Sequence, residues 1–542
     1  MNRFSTTPVP GWLLALSLLL LVALVAFCYG FTPMGDENDL WWHLKAGKII
    51  ADNGGFPPQR DVFAYTSADV EWRNHEWLAE WAMYGVYSLF EDRQLGGFRA
   101  VILAKALVLA AAFLLVCHLS ARRAGDAAVA AVVSLIAVGL SRFTVPPRPP
   151  VITYAFTALW LVLLYGAYGR YRQIGQRWAR MAALPALMVL WANLHGGFAV
   201  GLVLVFLFAA GCAIDGLLQW LAEGRQGRLW DYDAIDMARG FGLCGAACLV
   251  ATLFNPYGFK IYGMFSRVMG DANLLGAISE LQPPPLGVNR ELELMILAFI
   301  VVGSLACRRL PTAADYLILL FFLHQALFHA RHLPLFAVTA APILAWQARG
   351  VYDTLPASWR RLWRPAMAVL AVTMAIGMVA LPRAGWYWPP LGRNQSALEK
   401  NVALLQGRAY YPEGFPEEVC DYLLAHDLPG RLFNEVNFAG YLIWRLSPEK
   451  YQVFTDNRFD IFGSQFWEQA EQIQNGATSQ AGDPVWRELL DKWDVNLVII
   501  DKFKPLNGLL QQSGQWKLAF VDSRGYFRLW VRNAPRETGK HG

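Results

Sequence analysis

Eleven apolar runs that are long enough, with their flanks, to cross a membrane recur between residues 12 and 381. A membrane-spanning helix needs about 20 mostly apolar residues, because its backbone groups must be hydrogen-bonded within the lipid. The composition agrees, since 55% of the 542 residues are hydrophobic and 16% are charged, against about 25% charged in soluble domains. The first run lacks a small-x-small cleavage site, which predicts an uncleaved span. The sequence therefore predicts an α-helical polytopic membrane bundle of about 11 spans, at 12–29, 97–119, 126–142, 151–168, 182–194, 198–220, 239–254, 290–307, 313–329, 333–347 and 366–381.

The short loops between these runs differ in their basic residues. One alternating set holds 15 arginines, and the opposite set holds six basic residues in total. Because basic residues are retained on the cytoplasmic side, the arginine-rich loops are predicted to face the cytoplasm, with the N-terminus inside and the C-terminal part outside. The stretch 77–90 is short and amphipathic. It is predicted to lie at the membrane interface, because a crossing there would break the alternation.

From residue 383 the sequence is polar and alternates short strand-like runs with helix-like segments. The strand-like runs are 432–434, 451–455, 495–500, 516–521 and 526–531, and the helix-like segments include 417–425 and 485–493. This order predicts an extracytoplasmic α/β domain over 383–542, after a membrane domain over 1–382 in which 31–96 form a first outer loop with interfacial helices. Cys420 is the lone cysteine of the polar part, which argues against a disulfide framework. The net charge of +5 gives no indication of nucleic-acid binding.

An acidic cluster follows the first span, where Asp36, Glu37 and Asp39 precede an aromatic pair and His43. Mutual repulsion disfavours ionisation of all three carboxylates, which suits a general base. Residues 36–51 are predicted to form a helix in which Asp39 and His43 share a face. Two alternatives stay open. Asp36, Asp39 and His43 could bind a divalent cation, although their spacing is not specific for one metal, and Asp36 and Asp39 could cap the helix N-terminus.

Further polar residues gather at the predicted outer ends of the spans. Ionisable groups at such positions are candidates for function, whereas His and Trp can also be interfacial anchors and Gly or Pro can be turn residues. The candidate binding residues are His43, His75, Glu76, Arg148, His195, Lys260, Arg331 and His332. In the C-terminal part, Asp456, Arg458 and Asp460 follow a strand-like run. A structural ion pair at the strand end is predicted there in preference to an acceptor site.

The layout of these features resembles the GT-C superfamily of membrane glycosyltransferases, which use polyprenyl-phosphate-linked sugars. The nearer similarity is to RgtA/B/C/D-like and mannosyltransferase-like bacterial integral membrane proteins. Four strings also look like bacterial proteins placed near that superfamily, namely Asp39-Leu-Trp-Trp-His-Leu-Lys-Ala-Gly, His75-Glu-Trp-Leu, Trp191-Ala-Asn-Leu-His-Gly-Gly-Phe and Thr455-Asp-Asn-Arg-Phe-Asp460. The chain departs from the superfamily pattern at Arg148, where an acidic residue is usual, and at Trp41 and Trp42, where a tyrosine pair is usual.

The resemblance implies a glycosyltransferase of the bacterial inner membrane that moves a sugar, with inversion, from a polyprenyl-phosphate donor to an extracytoplasmic acceptor. The implied partners are a lipid-linked sugar and a glycan, lipid or protein acceptor, and a divalent cation could assist as cofactor. Asp36 or Asp39 would act as the base. The leaving phosphate would need cations and hydrogen-bond donors, which Arg148, Arg331, Lys260, His195 and His332 could supply. The alternative is a non-catalytic binder or transporter of a lipid-linked glycan on the same scaffold.

Overall fold

The protein separates into two compact units. The helical unit comprises Met1–Met34, Leu89–Gly258 and Ser279–Tyr410, and the α/β unit comprises Gly35–Ser88, Phe259–Ile278 and Tyr411–Gly542. The computed structural model of the chain describes residues 11–33, 37–92, 96–142, 146–168, 174–225, 228–229, 232–263, 266, 270–271, 273, 276, 278–285, 290–306, 309–381, 396–406 and 414–533.

Each of the eleven predicted apolar runs overlaps a helix, and five of them extend past a helix end by one to three residues. Up to residue 380 the α-helices are α1 (Gly11–Gly30), α2 (Asp39–Asp52), α3 (Trp77–Phe90), α4 (Gly97–Ala124), α5 (Ala127–Ser141), α6 (Pro150–Tyr168), α7 (Ile174–Leu194), α8 (Phe198–Ala222), α9 (Asp233–Ala251), α10 (Arg290–Leu305), α11 (Ala313–Phe328), α12 (Leu333–Thr354) and α13 (Ala357–Ala380). Among the described residues, six helices are long and apolar enough to cross a membrane, namely α1, α4, α6, α8, α9 and α13. Shorter apolar helices accompany them. The predicted class, a helical membrane bundle followed by a small α/β region, is confirmed.

Small residues let helices of the helical unit approach closely. A Cβ atom on Gly30 of α1 would lie 2.7 Å from the Cα atom of Ala106 in α4, and one on Gly211 of α8 would lie 2.4 Å from the Cα atom of Ala314 in α11. Lipid gives helices no hydrophobic reason to associate, so close packing of this kind is a main source of cohesion in a membrane bundle. The glycines therefore set the spacing of these helix pairs.

A buried ion pair also joins helices of this unit. Arg123 of α4 donates to both carboxylate oxygens of Asp315 in α11, over 2.7 and 2.8 Å. The hydroxyl of Tyr165 in α6 donates to the same carboxylate. The Asp315 side chain has no exposed surface, and its charge is met by a bidentate guanidinium, which is the strongest form of such a pair. Three helices are thereby fixed at one point.

A four-stranded sheet forms the centre of the α/β unit. Its strands are β1 (Arg431–Asn434), β2 (Val495–Asp501), β3 (Trp516–Val521) and β4 (Phe527–Arg532), in the order β1-β2-β4-β3. β1 runs parallel to β2, and β4 is antiparallel to both β2 and β3. Beyond residue 396 the helical unit contains α14 (Ala397–Leu405). The helices of the α/β unit there are α15 (Glu417–Ala425), α16 (Ala439–Leu446), α17 (Phe459–Gln474), α18 (Val485–Lys492) and α19 (Pro505–Gln512). β2 is buried from Val495 to Ile500, as expected of a central strand covered on both faces.

Segments of the predicted first outer loop are part of the α/β unit. Asn38 donates through Nδ2 to the carbonyl of Val436 over 2.8 Å, and its Oδ1 accepts from the N–H of Gly440 over 2.8 Å. A Cβ atom on Gly440 would lie 2.0 Å from the carbonyl oxygen of Asn38, so glycine allows α2 to reach α16. The predicted strand at 451–455 is instead an isolated parallel bridge between Ala64 and Val453. The domain boundary at 382 and 383 stays a prediction, since 382–395 lie outside the described residues.

Candidate functional site

Asp39 lies in the first turn of α2, where the helix dipole favours a negative charge. Its N–H donates to Oε1 of Glu37 over 3.1 Å, so Glu37 satisfies a backbone donor at the helix start. The Oδ1 atom of Asp39 accepts from Nε1 of Trp42 over 3.4 Å and from Nδ2 of Asn457. The helix predicted to begin near Asp36 is observed from Asp39, and Asp36 itself lies outside the described residues. Asp39 is thus a positioned acceptor, which suits a base.

Four polar side chains converge where α2 meets the start of α3. Nδ1 of His43 lies 2.9 Å from Oε1 of Glu80 and 3.8 Å from Oε2 of Glu76. Nδ2 of Asn74 donates to Oε2 of Glu80, and Oδ1 of Asn74 accepts from the N–H of Glu76 over 3.1 Å. All four residues are buried, Glu80 completely. Burial raises the pKa of Glu80 to about 8, because desolvation disfavours the charged form.

This cluster brings together part of the predicted site and two residues that the sequence analysis missed. His43 and Glu76 are in it, and Nε2 of the predicted His75 lies 3.8 Å from Oε1 of Glu76. Glu80 and Asn74 were not predicted. Glu80 stands four residues after Glu76, so the two carboxylates share a helix face, and this spacing was the available signal. No comparable spacing in the sequence indicated Asn74 as a member of the cluster.

The ligand set proposed for a cation from the sequence differs from the one that the structure assembles. Among the described residues, one group of three side chains could hold a metal ion, namely His43, Glu76 and Glu80. Their ligand atoms all lie within 4.8 Å of one another. Asp39 is not in that group. The combination of Asp36, Asp39 and His43 stays a prediction, because Asp36 is outside the described residues.

Lys260, a predicted phosphate-binding cation, is paired with a carboxylate in the α/β unit. Its Nζ lies 2.9 Å from Oε1 of Glu71, and Nη2 of Arg73 lies 2.8 Å from Oε2 of the same residue. Hydrogen bonds from Arg73 and Lys260 lower the pKa of Glu71 to about 2. Lys260 keeps half of its side chain exposed, so it remains accessible to an anion, and its predicted role stays a prediction.

In the helical unit, three of the predicted residues lie in or are bonded to two short 3₁₀ turns. Arg148 donates from Nη2 to Oε1 of Glu280 over 3.1 Å, and Glu280 lies in the turn Ser279–Leu281. Nδ1 of His329 lies 2.7 Å from the carbonyl oxygen of Leu281, and the N–H of Ala330 donates to the carbonyl of Gln282 over 2.9 Å. These bonds join the first turn to the second, Ala330–His332, which carries the other two predicted residues, Arg331 and His332. Arg148 is thereby bonded to the first turn, which in turn is bonded to the second.

Arg331 and His332 differ in environment. The Arg331 side chain is exposed, whereas His332 is half-buried. Burial, helped by the nearby positive groups of Arg331 and His329, lowers the pKa of His332 to about 4. Its imidazole is therefore neutral near pH 7 and can donate or accept a single proton.

His195 occupies the turn between α7 and α8. Its Nδ1 accepts from the N–H of Gly197 over 2.9 Å and lies 2.7 Å from Oγ1 of Thr153 in α6. Nε1 of Trp191 donates to the same Thr153 oxygen over 3.2 Å. Because Nδ1 is an acceptor, a neutral ring carries its proton on Nε2. A Cβ atom on Gly197 would lie 2.2 Å from Thr153 Oγ1, so the Gly-Gly turn makes room for this network.

The predicted structural ion pair of the C-terminal part is confirmed, and it includes a third residue, Asp61. Arg458 lies 2.6 Å from Asp456 through Nη2 and 2.8 Å from Asp61 through Nη1, and all three side chains are nearly inaccessible to solvent. The guanidinium carbon lies 4.9 and 4.8 Å from the ring centroids of Phe63 and Trp72. Full burial of the triad indicates a structural role and leaves no room for an acceptor to reach it.

Comparison with solved structures identifies proteins that share the fold of this chain. No family model matches the chain, and no curated protein matches it. The archaeal oligosaccharyltransferase AglB from Archaeoglobus fulgidus, in complex with an inhibitory peptide and a dolichol-phosphate, matches with a TM-score of 0.54 at 12% identity, over 90% of this chain and 69% of that one. ArnT from Cupriavidus metallidurans in the apo state matches with a TM-score of 0.53 at 16% identity, over 96% and 98%.

Identities this low show a shared fold. The chain shares its fold with AglB and with ArnT, so the resemblance predicted from the sequence is confirmed at the level of the fold. With its apolar helices, the chain is a multi-pass membrane protein of this architecture.

Proposed function

We propose that the protein is an inverting membrane glycosyltransferase that moves a sugar from a polyprenyl-phosphate donor to an extracytoplasmic acceptor. One observation carries the proposal, namely a carboxylate, Asp39, held by Asn457 and Trp42 at the start of α2 in a chain with the GT-C fold. The similar AglB structure holds a dolichol-phosphate and a peptide, which supports a lipid-phosphate donor and a separate acceptor.

The proposed chemistry is a single displacement. The acceptor hydroxyl attacks the anomeric carbon on the face opposite the phosphate, and Asp36 or Asp39 takes the hydroxyl proton. The bond between the anomeric carbon and the phosphate oxygen breaks, and polyprenyl phosphate leaves with the electron pair. Charge grows on that phosphate in the transition state, so fixed cations accelerate the step. Arg148, Arg331 and Lys260 are assigned this role, with His195 and neutral His332 as hydrogen-bond donors.

The proposed location of the reaction is the outer side of a bacterial inner membrane. The surplus of arginines in alternate loops supports a cytoplasmic N-terminus and an extracytoplasmic C-terminal part. A soluble nucleotide sugar is then excluded as direct donor, since Asp36 and Asp39 would face away from the cytoplasm. An alkaline phosphatase reporter fused after Gly542 is expected to be active, and an inactive but stable fusion would contradict this orientation.

The decisive experiment replaces each candidate base separately in the bacterial host. Asp36→Asn and Asp39→Asn are introduced into a strain that lacks the gene, and the envelope glycans and lipids are compared by mass spectrometry. At least one variant is expected to lose the product by ~100-fold or more, as for removal of a general base. Asp52→Asn, at the exposed end of α2, is the matched control and is expected to restore the product. Full restoration by both Asp36 and Asp39 variants would favour the non-catalytic binder or transporter.

A further inference from the structure

The cluster of His43, Glu76 and Glu80 has the geometry of a cation site. Its three ligand atoms lie within 4.8 Å of one another, and His43 Nδ1 is 2.9 Å from Glu80 Oε1. Bonds of 2.0–2.2 Å to nitrogen and oxygen place the ligands of one ion about 3–3.5 Å apart. The exposed fractions are 2, 7 and 0% respectively. The distances within the cluster are thus near those that the ligands of one ion require.

The charge balance of the cluster also favours a cation. Glu76 and Glu80 bring two carboxylates into a buried place, where a negative charge is costly. A bound cation would offset that cost.

Surrounding residues support the two carboxylates in the way that outer partners support metal ligands. Asn74 donates to Oε2 of Glu80, leaving Oε1 turned toward His43. Its Oδ1 accepts from the N–H of Glu76, and His75 lies beside Oε1 of Glu76. The three ligand residues come from α2, from the residue just before α3 and from the first turn of α3. An ion there would join the two helices.

We propose that His43, Glu76 and Glu80 form a binding site for a divalent first-row metal ion, with Zn²⁺ as the preferred ion. One imidazole nitrogen and two carboxylates match the ligands that zinc takes, and the mixed donor set disfavours Mg²⁺ and Ca²⁺, which prefer oxygen alone. The ion has a structural task. It holds α2, which carries Asp39 one turn before His43, against α3. The site does not depend on the proposed glycosyl transfer, and no step of that reaction passes through the ion.

Metal content tests the site directly. The full chain is purified in detergent without a metal-affinity tag, incubated with Zn²⁺, desalted and analysed by plasma mass spectrometry. About one zinc per chain is expected, with at least a tenfold loss in His43→Gln, Glu76→Gln and Glu80→Gln. The matched controls are His426→Gln and Glu468→Gln, which remove an exposed histidine and an exposed glutamate of the same unit. Equal zinc in the two sets of variants, or none in the wild type, overturns the proposal.

A second measurement covers variants that fail to fold. Wild-type protein is stripped with EDTA and titrated with Zn²⁺, and the midpoint of thermal unfolding is recorded, since a ligand that binds the native state raises it. A saturable rise with a stoichiometry of one is expected, with no comparable rise for Mg²⁺. No rise with Zn²⁺ means that protons alone balance the cluster, and the proposal fails. Because neither readout involves glycan transfer, this failure is distinguishable from that of the proposed function.

Discussion

At the scale of single residues, the buried triad of Asp61, Arg458 and Asp456 shows how a charge is tolerated inside the α/β unit. Arg458 is met by a carboxylate on each side and by two aromatic rings. Removing one partner of such a group leaves an uncompensated charge in a dry place, at a cost of ~3–5 kcal/mol. The triad therefore ties the loop around Asp61 to the segment around Arg458, 397 residues later in the chain.

Asp61→Asn is accordingly expected to lower the free energy of unfolding by ~3 kcal/mol, measured by thermal or denaturant unfolding of the purified chain. Asp69→Asn is the matched control from the same loop. Asp69 pairs with Arg60 at 3.6 Å with both side chains exposed, and its loss is expected to have no measurable effect. Equal stability of the two variants would contradict the structural role of the triad.

His332 gives the protein an expected sensitivity to acid. Its pKa falls from 6.5 to about 4 on folding, so the unfolded chain binds the proton more readily and stability rises with pH between these values. The stabilisation is complete above pH 6.5 and is lost as the pH falls toward 4, by at most ~3.5 kcal/mol at ~1.4 kcal/mol per pKa unit. His332→Gln is expected to make the midpoint of thermal unfolding less dependent on pH between pH 7 and 4, whereas His426→Gln is expected to keep the wild-type pH dependence. Parallel profiles for all three proteins would refute the assignment.

At the scale of elements, the contact between α2 and α3 depends on one glycine. A Cβ atom on Gly47 would lie 2.1 Å from the carbonyl oxygen of Glu80, so backbone meets backbone one turn after His43. Gly47→Ala is expected to cost ~1–3 kcal/mol, as for other overpacked sites, and to lower the unfolding midpoint. Gly85→Ala on α3 is the control, because a Cβ atom there meets nothing within 4 Å and alanine favours a helix. If Gly47→Ala unfolded at the same temperature as Gly85→Ala or at a higher one, the contact between α2 and α3 would have room for the added methyl group.

The membrane helices could be predicted from the sequence because lipid imposes the same requirement on every span. Their ends could not. α13 begins at Ala357, nine residues before the predicted 366, and α7 begins at Ile174, eight before the predicted 182. In both places the added turns are amphipathic and contain arginines or tryptophans, so hydropathy alone does not reveal them.

The candidate site was predictable only in part, for a related reason. The acidic cluster and His43 stand out locally, because charges directly after an apolar span are unusual. Glu80 is recognised as part of the cluster only through its contact with His43, 37 residues earlier in the chain, and Asn74 only through its bond to Glu80. The same holds for Val453, whose bridge partner, Ala64, precedes it by several hundred residues. Pairings across such separations leave no periodic pattern.

At the scale of the whole molecule, the α/β unit cannot be equated with the C-terminal segment. Asn38, Asp61 and Phe63 contribute bonds to residues beyond 430, including the hydroxyl of Ser447, which donates to the Phe63 carbonyl over 2.9 Å. A fragment of residues 411–542 alone is expected to be unfolded or aggregated, by near-UV circular dichroism and size-exclusion chromatography. Fusion to residues 37–92 is expected to recover soluble, folded protein. A well-folded isolated fragment would show that the loop is dispensable.

The bond between Asp61 and Arg458 also carries a consequence for biosynthesis. The ribosome makes Asp61 397 residues before its guanidinium partner, which at about 5–20 residues per second is a delay of roughly 20–80 s. Throughout that interval the loop around Phe63 and Trp72 has no partner chain to cover its rings. Until the last quarter of the polypeptide has been made, a chaperone or the lipid surface must therefore cover these exposed rings of the incomplete α/β unit.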